Sequence, residues 1–220
     1  MKNILIVGST SFVAKNVAEK LKLQSYNCIL TNRSSADPSL HLDIEDEKSI
    51  IRFCSLNAGL SFDGILFFQG INPSKNVKEI TAEHFMKMLS VNLIGPALLL
   101  KHLHKNLANQ AMLLFISSIA ASKGSYDPSY ASAKAGLLGL VQTFANEFPE
   151  LRFNTISLGL VENSPVFNNM TPDFRKKHSD RMNGKFIQAD DISAAVMELL
   201  ENNSINRAVI NLEGGSSGNA

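Results

Sequence analysis

Residues 3–14 have the sequence NILIVGSTSFVA, in which an apolar run ends at a glycine and three hydroxyl-bearing residues follow. The run Asn3–Val7 predicts a buried strand, because a strand covered on both faces is apolar throughout. Apolar residues then recur at helical spacing from Phe12 to Leu21, so Gly8 lies in a strand-to-helix turn. Free backbone N–H groups at the start of a helix favour a phosphate group there. A plain turn capped by a hydroxyl explains the pattern about equally well.

The same alternation continues along the chain. Further strands are predicted at Cys28–Thr31, Leu40–Leu42, Gly64–Phe68, Met112–Ile116, Arg152–Ser157 and Ala208–Leu212. Further helices are predicted at Glu47–Leu56, Ala82–Leu107 (bent at Gly95-Pro96), Ser129–Phe148 and Asp190–Glu201. Alternating strands and helices predict an α/β fold, a single-domain doubly wound parallel sheet of about seven strands with helices on both faces. We expect the domain to span residues 1–213 and residues 214–220 to form a flexible tail.

Composition narrows the function classes. The chain has 220 residues, 45% of them hydrophobic and 19% charged, and a net charge of +1. This charge gives no reason to expect a nucleic-acid or membrane partner. Cys28 and Cys54 match no metal-ligand spacing and are expected to be buried thiols in a reducing compartment. No apolar run is long enough to span a bilayer and no signal peptide is evident, so we expect a cytoplasmic protein.

Chemically useful residues follow five of the predicted strands. They are Gly8, Thr31–Arg33, Phe68–Gly70, Ser117–Ser118 and Leu158–Gly159. The carboxyl ends of parallel strands lie at one edge of the sheet, where ligands of such folds bind. The sequence therefore predicts one crevice lined by these residues.

Tyr130 and Lys134 are one helical turn apart, with Ser118 and Asn92 further upstream. This spacing places the phenol and the ammonium on one face of a helix. A phenol of ordinary pKa near 10 is a weak base at neutral pH, and a nearby cation lowers that pKa. The pair is therefore suited to moving a proton to or from an alcohol or carbonyl oxygen.

Two charged residues suggest how a nucleotide would bind. Arg33 directly follows the second strand, where an arginine suits the 2′-phosphate of NADP and an acid would suit the ribose of NAD. A solvated loop arginine is the alternative. Asp43 ends the predicted third strand, where its carboxylate can accept from the adenine amine. An equally good interpretation is that Asp43 is an acidic residue that favours the start of the following helix.

Over nearly its whole length the chain resembles the short-chain dehydrogenase/reductase family, in particular its 3-oxoacyl-carrier-protein reductases. The resemblance rests on residues 8–14, Asp43-Ile44, Phe67 to Gly70, Val91-Asn92, Ile116 to Ser118, Tyr130 to Lys134, Leu158-Gly159 and Asn211 to Gly215. It departs from the family pattern at Phe12, Ala14, residues 67–69, Leu158 and Asn163.

The resemblance implies roles for the four catalytic candidates Asn92, Ser118, Tyr130 and Lys134. Tyr130 would protonate the carbonyl oxygen, and Ser118 would hydrogen-bond the same oxygen. Lys134 would lower the pKa of Tyr130 and hold the nicotinamide ribose. Asn92 would bend its helix and hold a water that relays protons to Lys134.

The implied cofactor is NADP(H), with NAD less favoured, and no metal is expected. The predicted cofactor contacts are Gly8, Ser9, Thr10, Ser11, Phe12, Val13, Arg33, Ser34, Asp43, Ile44, Gln69, Gly70, Tyr130, Lys134, Gly159 and Val161. The family also implies a homodimer or homotetramer, to which the small residues Ala131 to Gly139 of the catalytic helix would contribute.

Residues 164–185 stand where the family has its substrate lid, and they mix apolar residues with bases. A lid that attracts acidic substrates and an amphipathic helix with a solvated face both fit this pattern.

We expect an NADPH-dependent oxidoreductase that interconverts a carbonyl and a secondary alcohol, the substrate being a 3-oxoacyl or other small oxo compound. Two alternatives stay open: a sugar-nucleotide-modifying enzyme of the same family, and a non-catalytic dinucleotide sensor or scaffold on the same fold. The sugar-nucleotide enzymes usually carry a large C-terminal substrate domain, and few residues follow the last predicted strand.

Overall fold

A parallel sheet forms the centre of the molecule, whose computed structural model describes residues 1–215. Its strands there are β1 (Asn3–Val7), β2 (Asn27–Thr31), β3 (Phe62–Phe67), β4 (Leu107–Ser118), β5 (Arg152–Leu158) and β6 (Val209–Leu212). Their order across the sheet is β2-β1-β3-β4-β5-β6. The chain leaves β1 toward β2 on one side and then continues on the other side at β3. The carboxyl ends of β1 and β3 therefore border the crevice where such sheets bind ligands.

Helices connect the strands and cover both faces of the sheet, as predicted. They are α1 (Phe12–Leu23), α2 (Glu47–Leu56), α3 (Ala82–Leu89), α4 (Gly95–Leu103), α5 (Ala120–Lys123), α6 (Pro128–Glu147), α7 (Pro165–Asn168), α8 (Pro172–Arg181) and α9 (Ala189–Glu201). A π-helical turn, Ser90–Ile94, joins α3 to α4, and a short 3₁₀ turn, His104–Asn106, precedes β4.

Two hydrophobic clusters, one on each face of the sheet, form the core. Alternate residues of β1 divide between them, because successive strand side chains point to opposite faces. Leu5 and Val7 belong to the cluster under α2, α4 and α6, and Ile4 and Ile6 to the cluster under α1 and α9. This burial on both faces explains why the strands are apolar throughout and holds their carboxyl ends in place.

The sheet has one strand fewer than predicted, because Leu40–Leu42 is not a strand. His41 forms only an isolated parallel bridge to Asn32, with the N–H of Leu42 donating to the carbonyl of Asn32 at 3.1 Å. The segment lies at the sheet edge beyond β2, where one neighbour is available and pairing stops after a single residue.

The predicted helix Ala82–Leu107 is also interrupted. Its bend lies in the π-helical turn Ser90–Ile94, immediately before Gly95-Pro96. Pro96 at the start of α4 carries no N–H, and its ring disfavours the standard helical bond to the preceding turn. The helix ends at Leu103, and Leu107 already begins β4.

Part of the predicted tail is held in place. The N–H of Gly215 donates to the carbonyl of Lys185 at 2.8 Å, while residues 216–220 lie outside the described part of the chain. Cys28 and Cys54 are half-buried rather than fully buried, and neither forms a disulfide. Among residues 1–215, no helix has the length and apolar character that a membrane span requires.

Candidate active site

The turn after β1 requires a glycine. Gly8 has a φ of +76°, and a methyl group there would lie 2.7 Å from the backbone of Gln69. Ser11 caps α1 by accepting a hydrogen bond from the N–H of Ala14 at 3.1 Å. The close approach of Gly8 to the segment after β3 brings the carboxyl ends of β1 and β3 together, at the edge of the sheet where the sequence predicted a crevice.

A crevice of about 450 Å³ opens at these strand ends. Many of the predicted cofactor contacts line it: Gly8, Thr10, Ser11, Arg33, Ser34, Asp43, Ile44, Gln69 and Gly70. Leu42, Glu45, Ile71 and Val91 line it as well, although none was among the predicted cofactor contacts. They come from loops and a helix that only the folded chain brings to this edge.

Other predicted cofactor residues do not line this crevice: Ser9, Phe12, Val13, Tyr130, Lys134, Gly159 and Val161. The N–H of Ser9 bonds to the carbonyl of Thr31, and Phe12 begins α1 with 37% of its surface exposed. Gly159 lies beside the end of β6, and buried Val161 pairs with Ile187. The predicted single crevice is thus shared by β1, β2 and β3, with the ends of β4 and β5 beyond its wall.

Arg33 meets an acid that its sequence neighbourhood does not reveal. Its guanidinium lies 3.9 Å from the carboxylate of Glu45, which in turn lies 2.6 Å from the ammonium of Lys87. The Arg33 side chain is 68% exposed, whereas that of Glu45 is only 18% exposed. A phosphate approaching Arg33 would therefore meet the charge of Glu45 as well.

The surroundings of Asp43 fit both interpretations offered for it. Its carboxylate accepts a hydrogen bond from the N–H of Glu45 at 3.1 Å, which orders the turn before α2. The residue also lines the crevice beside Ile44.

Asn92 lies in the π-helical turn and is fully buried. Its amide donates to the carbonyls of Ile71 and Met88, both at 3.1 Å, while its Oδ1 atom has no hydrogen-bond partner among the described residues. A methyl group on Gly70 would lie 3.0 Å from this oxygen and 3.6 Å from Nζ of Lys134. Gly70 therefore connects the crevice to the catalytic candidates.

Burial dominates the chemistry of Lys134. Its ammonium donates to the carbonyl of Ile116 at 2.7 Å, and burial lowers its pKa to about 8. The hydroxyl of Ser117 donates to the carbonyl of Lys134 at 3.0 Å, which holds α6 against β4. The side chain is thus fixed at the strand end that carries Ser118.

Tyr130 lies next to Ser118, as predicted, but its pKa differs from the expectation. Burial raises the pKa of Tyr130 above 10, and a hydrogen bond with Ser118 only partly opposes this. Nζ of Lys134 lies 5.9 Å from the centre of the Tyr130 ring. The raised pKa of Tyr130 is opposite in direction to the lowering that was expected from Lys134.

A family model described as enoyl-(acyl carrier protein) reductase matches residues 11–217. The chain belongs to the short-chain dehydrogenase/reductase family. It is 25% identical over 230 residues to carbonyl reductase family member 4 of Xenopus laevis, covering 96% of this chain and 95% of that protein. It is 26% identical over 180 residues to a human 3-oxoacyl-[acyl-carrier-protein] reductase, covering 79% and 69% respectively.

Solved structures show the same fold. A small-chain dehydrogenase crystallised in complex with NADPH superposes with a TM-score of 0.84 at 22% identity, covering 97% of each chain. As a member of this family, the chain is an NAD(P)-dependent oxidoreductase that acts on a carbonyl or an alcohol.

The residues of this short-chain dehydrogenase/reductase fit a nicotinamide dinucleotide. Gly8 lets the turn after β1 pack against the segment after β3, because a methyl group there would lie 2.7 Å from the Gln69 backbone. The buried oxygens Oε1 of Gln69 and Oδ1 of Asn92 have no partner among the described residues and lie at or beside the crevice. Polar atoms buried in this way are usually satisfied by a ligand or water.

Two helices occupy the lid region of this family member. Phe167 of α7 is buried and meets the Phe186 ring edge to face at 5.0 Å. The Arg175 guanidinium of α8 lies 4.6 Å from the Phe167 ring and donates to the carbonyls of Phe167 and Asn168. Arg175 thus joins α8 to α7, and the lid has a packed structure rather than a purely solvated one.

The catalytic helix packs closely within its own chain. A methyl group on Gly136 would lie 2.9 Å from the Leu93 side chain, so this glycine accommodates the π-helical turn, whereas Gly139 has open space beside it.

Among residues 1–215, no three His, Cys, Asp or Glu side chains converge as a metal site would require.

Proposed function

We propose that this enzyme is an NADPH-dependent carbonyl reductase in which Tyr130 is the general acid. The observation that carries the proposal is the position of the half-buried Tyr130 phenol beside Ser118, with its pKa raised. A phenol with a raised pKa stays protonated at neutral pH and can give up its proton only to a developing alkoxide. The protonated phenol is the form that reduction of a carbonyl requires.

Each of the four catalytic residues has a different proposed role. Tyr130 donates its proton to the substrate oxygen, and the Ser118 hydroxyl donates a hydrogen bond to the same oxygen. Two preorganised donors at a developing oxyanion lower the barrier by several kcal/mol. Lys134 supplies a buried positive charge beside Gly70, and Asn92 offers its Oδ1 atom to a water near that charge. A bound nicotinamide supplies the hydride chemistry.

The predicted cofactor residues would hold NADPH in two groups. The turn from Gly8 to Val13 would hold the pyrophosphate, Arg33 and Ser34 the 2′-phosphate, and Asp43 and Ile44 the adenine. Gln69, Gly70, Tyr130, Lys134, Gly159 and Val161 would hold the nicotinamide half. The similarity to a structure solved in complex with NADPH supports this choice of cofactor, and the exposed guanidinium of Arg33 at the crevice supports the phosphate contact.

A 3-oxoacyl compound or another small oxo compound is the proposed substrate. The name of the human relative supports the first, and the bases of the lid, among them Lys176 and Lys177, suit an acidic carrier. The enzyme acts in the cytoplasm as a homodimer or homotetramer. Two free cysteines are consistent with a reducing compartment, and size-exclusion chromatography with light scattering tests the assembly.

The catalytic proposal is tested by following NADPH consumption with 3-oxoacyl thioesters, small ketones and diketones. Tyr130→Phe should lower kcat about 10²–10⁴-fold, the usual contribution of a general acid. Tyr126→Phe is the matched control, since Tyr126 is 65% exposed and its hydroxyl accepts only a surface hydrogen bond from Asn76. NADPH binding without turnover of any oxo compound would contradict the proposal and favour a dinucleotide sensor. Turnover of nucleotide sugars alone would favour the sugar-nucleotide alternative.

A further inference from the structure

A fully buried carboxylate lies at the start of the catalytic helix α6. Oδ1 of Asp127 accepts hydrogen bonds from the backbone N–H groups of Ser129 at 2.9 Å and Tyr130 at 3.2 Å, and from the Ser129 hydroxyl. Oδ2 accepts from the N–H of Lys75 at 3.0 Å and pairs with Nε2 of His84 at 2.8 Å. Asp127 is 0% exposed, and the family resemblance gives it no role.

These donors come from three separate parts of the chain. Lys75 lies in the segment after β3, in which Gly70 lines the crevice and the carbonyl of Ile71 accepts from Asn92. His84 lies on α3, the helix that continues into the π-helical turn of Asn92. Tyr130 begins α6. One carboxylate therefore connects the three segments that carry Gly70, Asn92 and Tyr130.

The environment keeps this carboxylate charged. Burial alone would raise the pKa of Asp127, but hydrogen bonds from Ser129, Lys75, His84 and Tyr130 outweigh it and lower that pKa to about 2. Hydrogen bonds to a charged acceptor are about twice as strong as neutral ones. A buried anion with this many donors has few alternative positions, which makes it suitable for holding neighbouring groups in register.

We infer that Asp127, with His84 as its side-chain partner from α3, is a positioning residue that aligns Tyr130 with Asn92 and the cofactor segment. The inference rests on the proposed reductase function, since Tyr130 must be the acid for its alignment to matter. Neither Asp127 nor His84 touches the reacting atoms. Misplacing a reacting group by about 1 Å costs roughly 10²-fold in rate, so a loss of alignment should appear in kcat.

The first experiment compares kcat and KM of Asp127→Ala and Asp127→Asn with the wild type. Asparagine keeps one oxygen acceptor for the N–H groups of Ser129 and Tyr130, but it cannot also accept at the second position. We expect Asp127→Ala to lose about 10- to 100-fold in kcat, Asp127→Asn to lose less, and KM for the oxo substrate to change less than threefold, roughly the scale of general context effects.

Asp46→Ala is the matched control. Asp46 caps α2 through the same type of bond, accepting from the N–H of Lys48 at 3.0 Å, but it is exposed and remote from Tyr130. It should lower thermal stability as a lost helix cap does while leaving kcat unchanged. If both caps affect kcat equally, Asp127 acts only as a helix cap and the inference is wrong.

His84 provides a second, milder test. His84→Gln retains an N–H that can donate to Asp127, whereas His84→Leu fills the site without a donor. We expect near wild-type kcat for the glutamine variant and a loss of about tenfold for the leucine variant, at equal folding by circular dichroism. Equal activities in the two variants would show that the hydrogen bond does not contribute.

NADPH affinity separates failure of this inference from failure of the proposed function. If the wild type reduces oxo compounds and Asp127→Ala retains its kcat, only the positioning role is wrong. If no variant shows turnover, fluorescence titration of NADPH decides, because the same carboxylate holds the segment of Gly70. Weaker binding in Asp127→Ala than in Asp46→Ala then supports positioning, and equal binding overturns it.

Discussion

The ammonium of Lys134 lies 5.9 Å from the centre of the Tyr130 ring and donates its hydrogen bond to the carbonyl of Ile116 instead. Strand β4 rather than the phenol therefore holds the lysine. Lys134 is buried and Tyr130 half-buried, and burial shifts each pKa toward the neutral form, upward for Tyr130 and downward for Lys134. The site thus contains a protonated phenol beside an ammonium whose burial destabilises the fold.

Lys134→Met should leave the protein at least as stable as the wild type at pH 7. Burial lowers the pKa of Lys134 to about 8, against about 10.4 in an unfolded chain. Between pH 8 and about pH 10.4 the unfolded state binds more protons than the folded state, so the free energy of unfolding rises with pH. Below pH 8 both states are protonated, and the buried charge of Lys134 lowers the free energy of unfolding by about 3 kcal/mol.

Urea unfolding at several pH values measures this effect. The advantage of the methionine variant should be largest below pH 8 and shrink above it. The exposed Lys48, replaced in the same way, controls for the general effect of the substitution. A variant that is clearly less stable at neutral pH, or an advantage independent of pH, would contradict the prediction.

Carbonyl reduction and alcohol oxidation should respond differently to pH because of Tyr130. Its raised pKa keeps the acid form dominant at neutral pH, so the reduction rate should stay level from pH 6 to 8. Oxidation requires the phenolate and should rise with pH through that range. Initial rates in both directions check this, and Tyr130→Phe should abolish the pH dependence together with the activity. An oxidation rate that levels off below pH 7 would show that cofactor binding lowers the phenol pKa strongly.

Arg33→Ala should weaken NADPH far more than NADH, by roughly 1.5–3 kcal/mol, the range of charge-assisted hydrogen bonds. Glu45→Gln should strengthen NADPH binding, because it removes the carboxylate that lies 3.9 Å from Arg33 at the crevice. Fluorescence titrations of both cofactors at two salt concentrations measure these changes. Glu47→Gln is the control. Glu47 lies two residues after Glu45, at the start of α2, and pairs with Lys101 and His102 instead of Arg33. Equal weakening of both cofactors by Arg33→Ala would reject the phosphate role.

Gly8→Ala should destabilise the fold by at least about 1–2 kcal/mol, the cost of a left-handed conformation for an alanine. The added methyl group would also approach the Gln69 backbone to 2.7 Å, so NADPH binding should be lost. Gly59→Ala serves as the control, since nothing lies within 4 Å of its added methyl group. Thermal unfolding and cofactor titration check the pair, and a Gly8→Ala protein that binds NADPH normally would disprove the tight-turn requirement.

Local patterns were sufficient to predict most elements and to place Tyr130 and Lys134 on one helix. Apolar runs such as Asn3–Val7 and helical repeats depend on neighbours in the chain, and the bounds found for β1 and α2 match those predicted. The spacing of Tyr130 and Lys134 likewise specifies one helix face, whatever surrounds it. These features follow from backbone geometry and the burial of apolar side chains, which a sequence displays directly.

Contacts between distant segments decided the rest. The pairing of Arg33 with Glu45 and of His84 with Asp127 joins residues that no local pattern relates. Leu40–Leu42 does not form a strand, and its pairing is limited to the bridge between His41 and Asn32. The pKa values of Tyr130 and Lys134 depend on how deeply the folded chain buries them. Burial and long-range hydrogen bonds exist only after the chain has closed its loops, so the tertiary structure alone sets the charge states of the site.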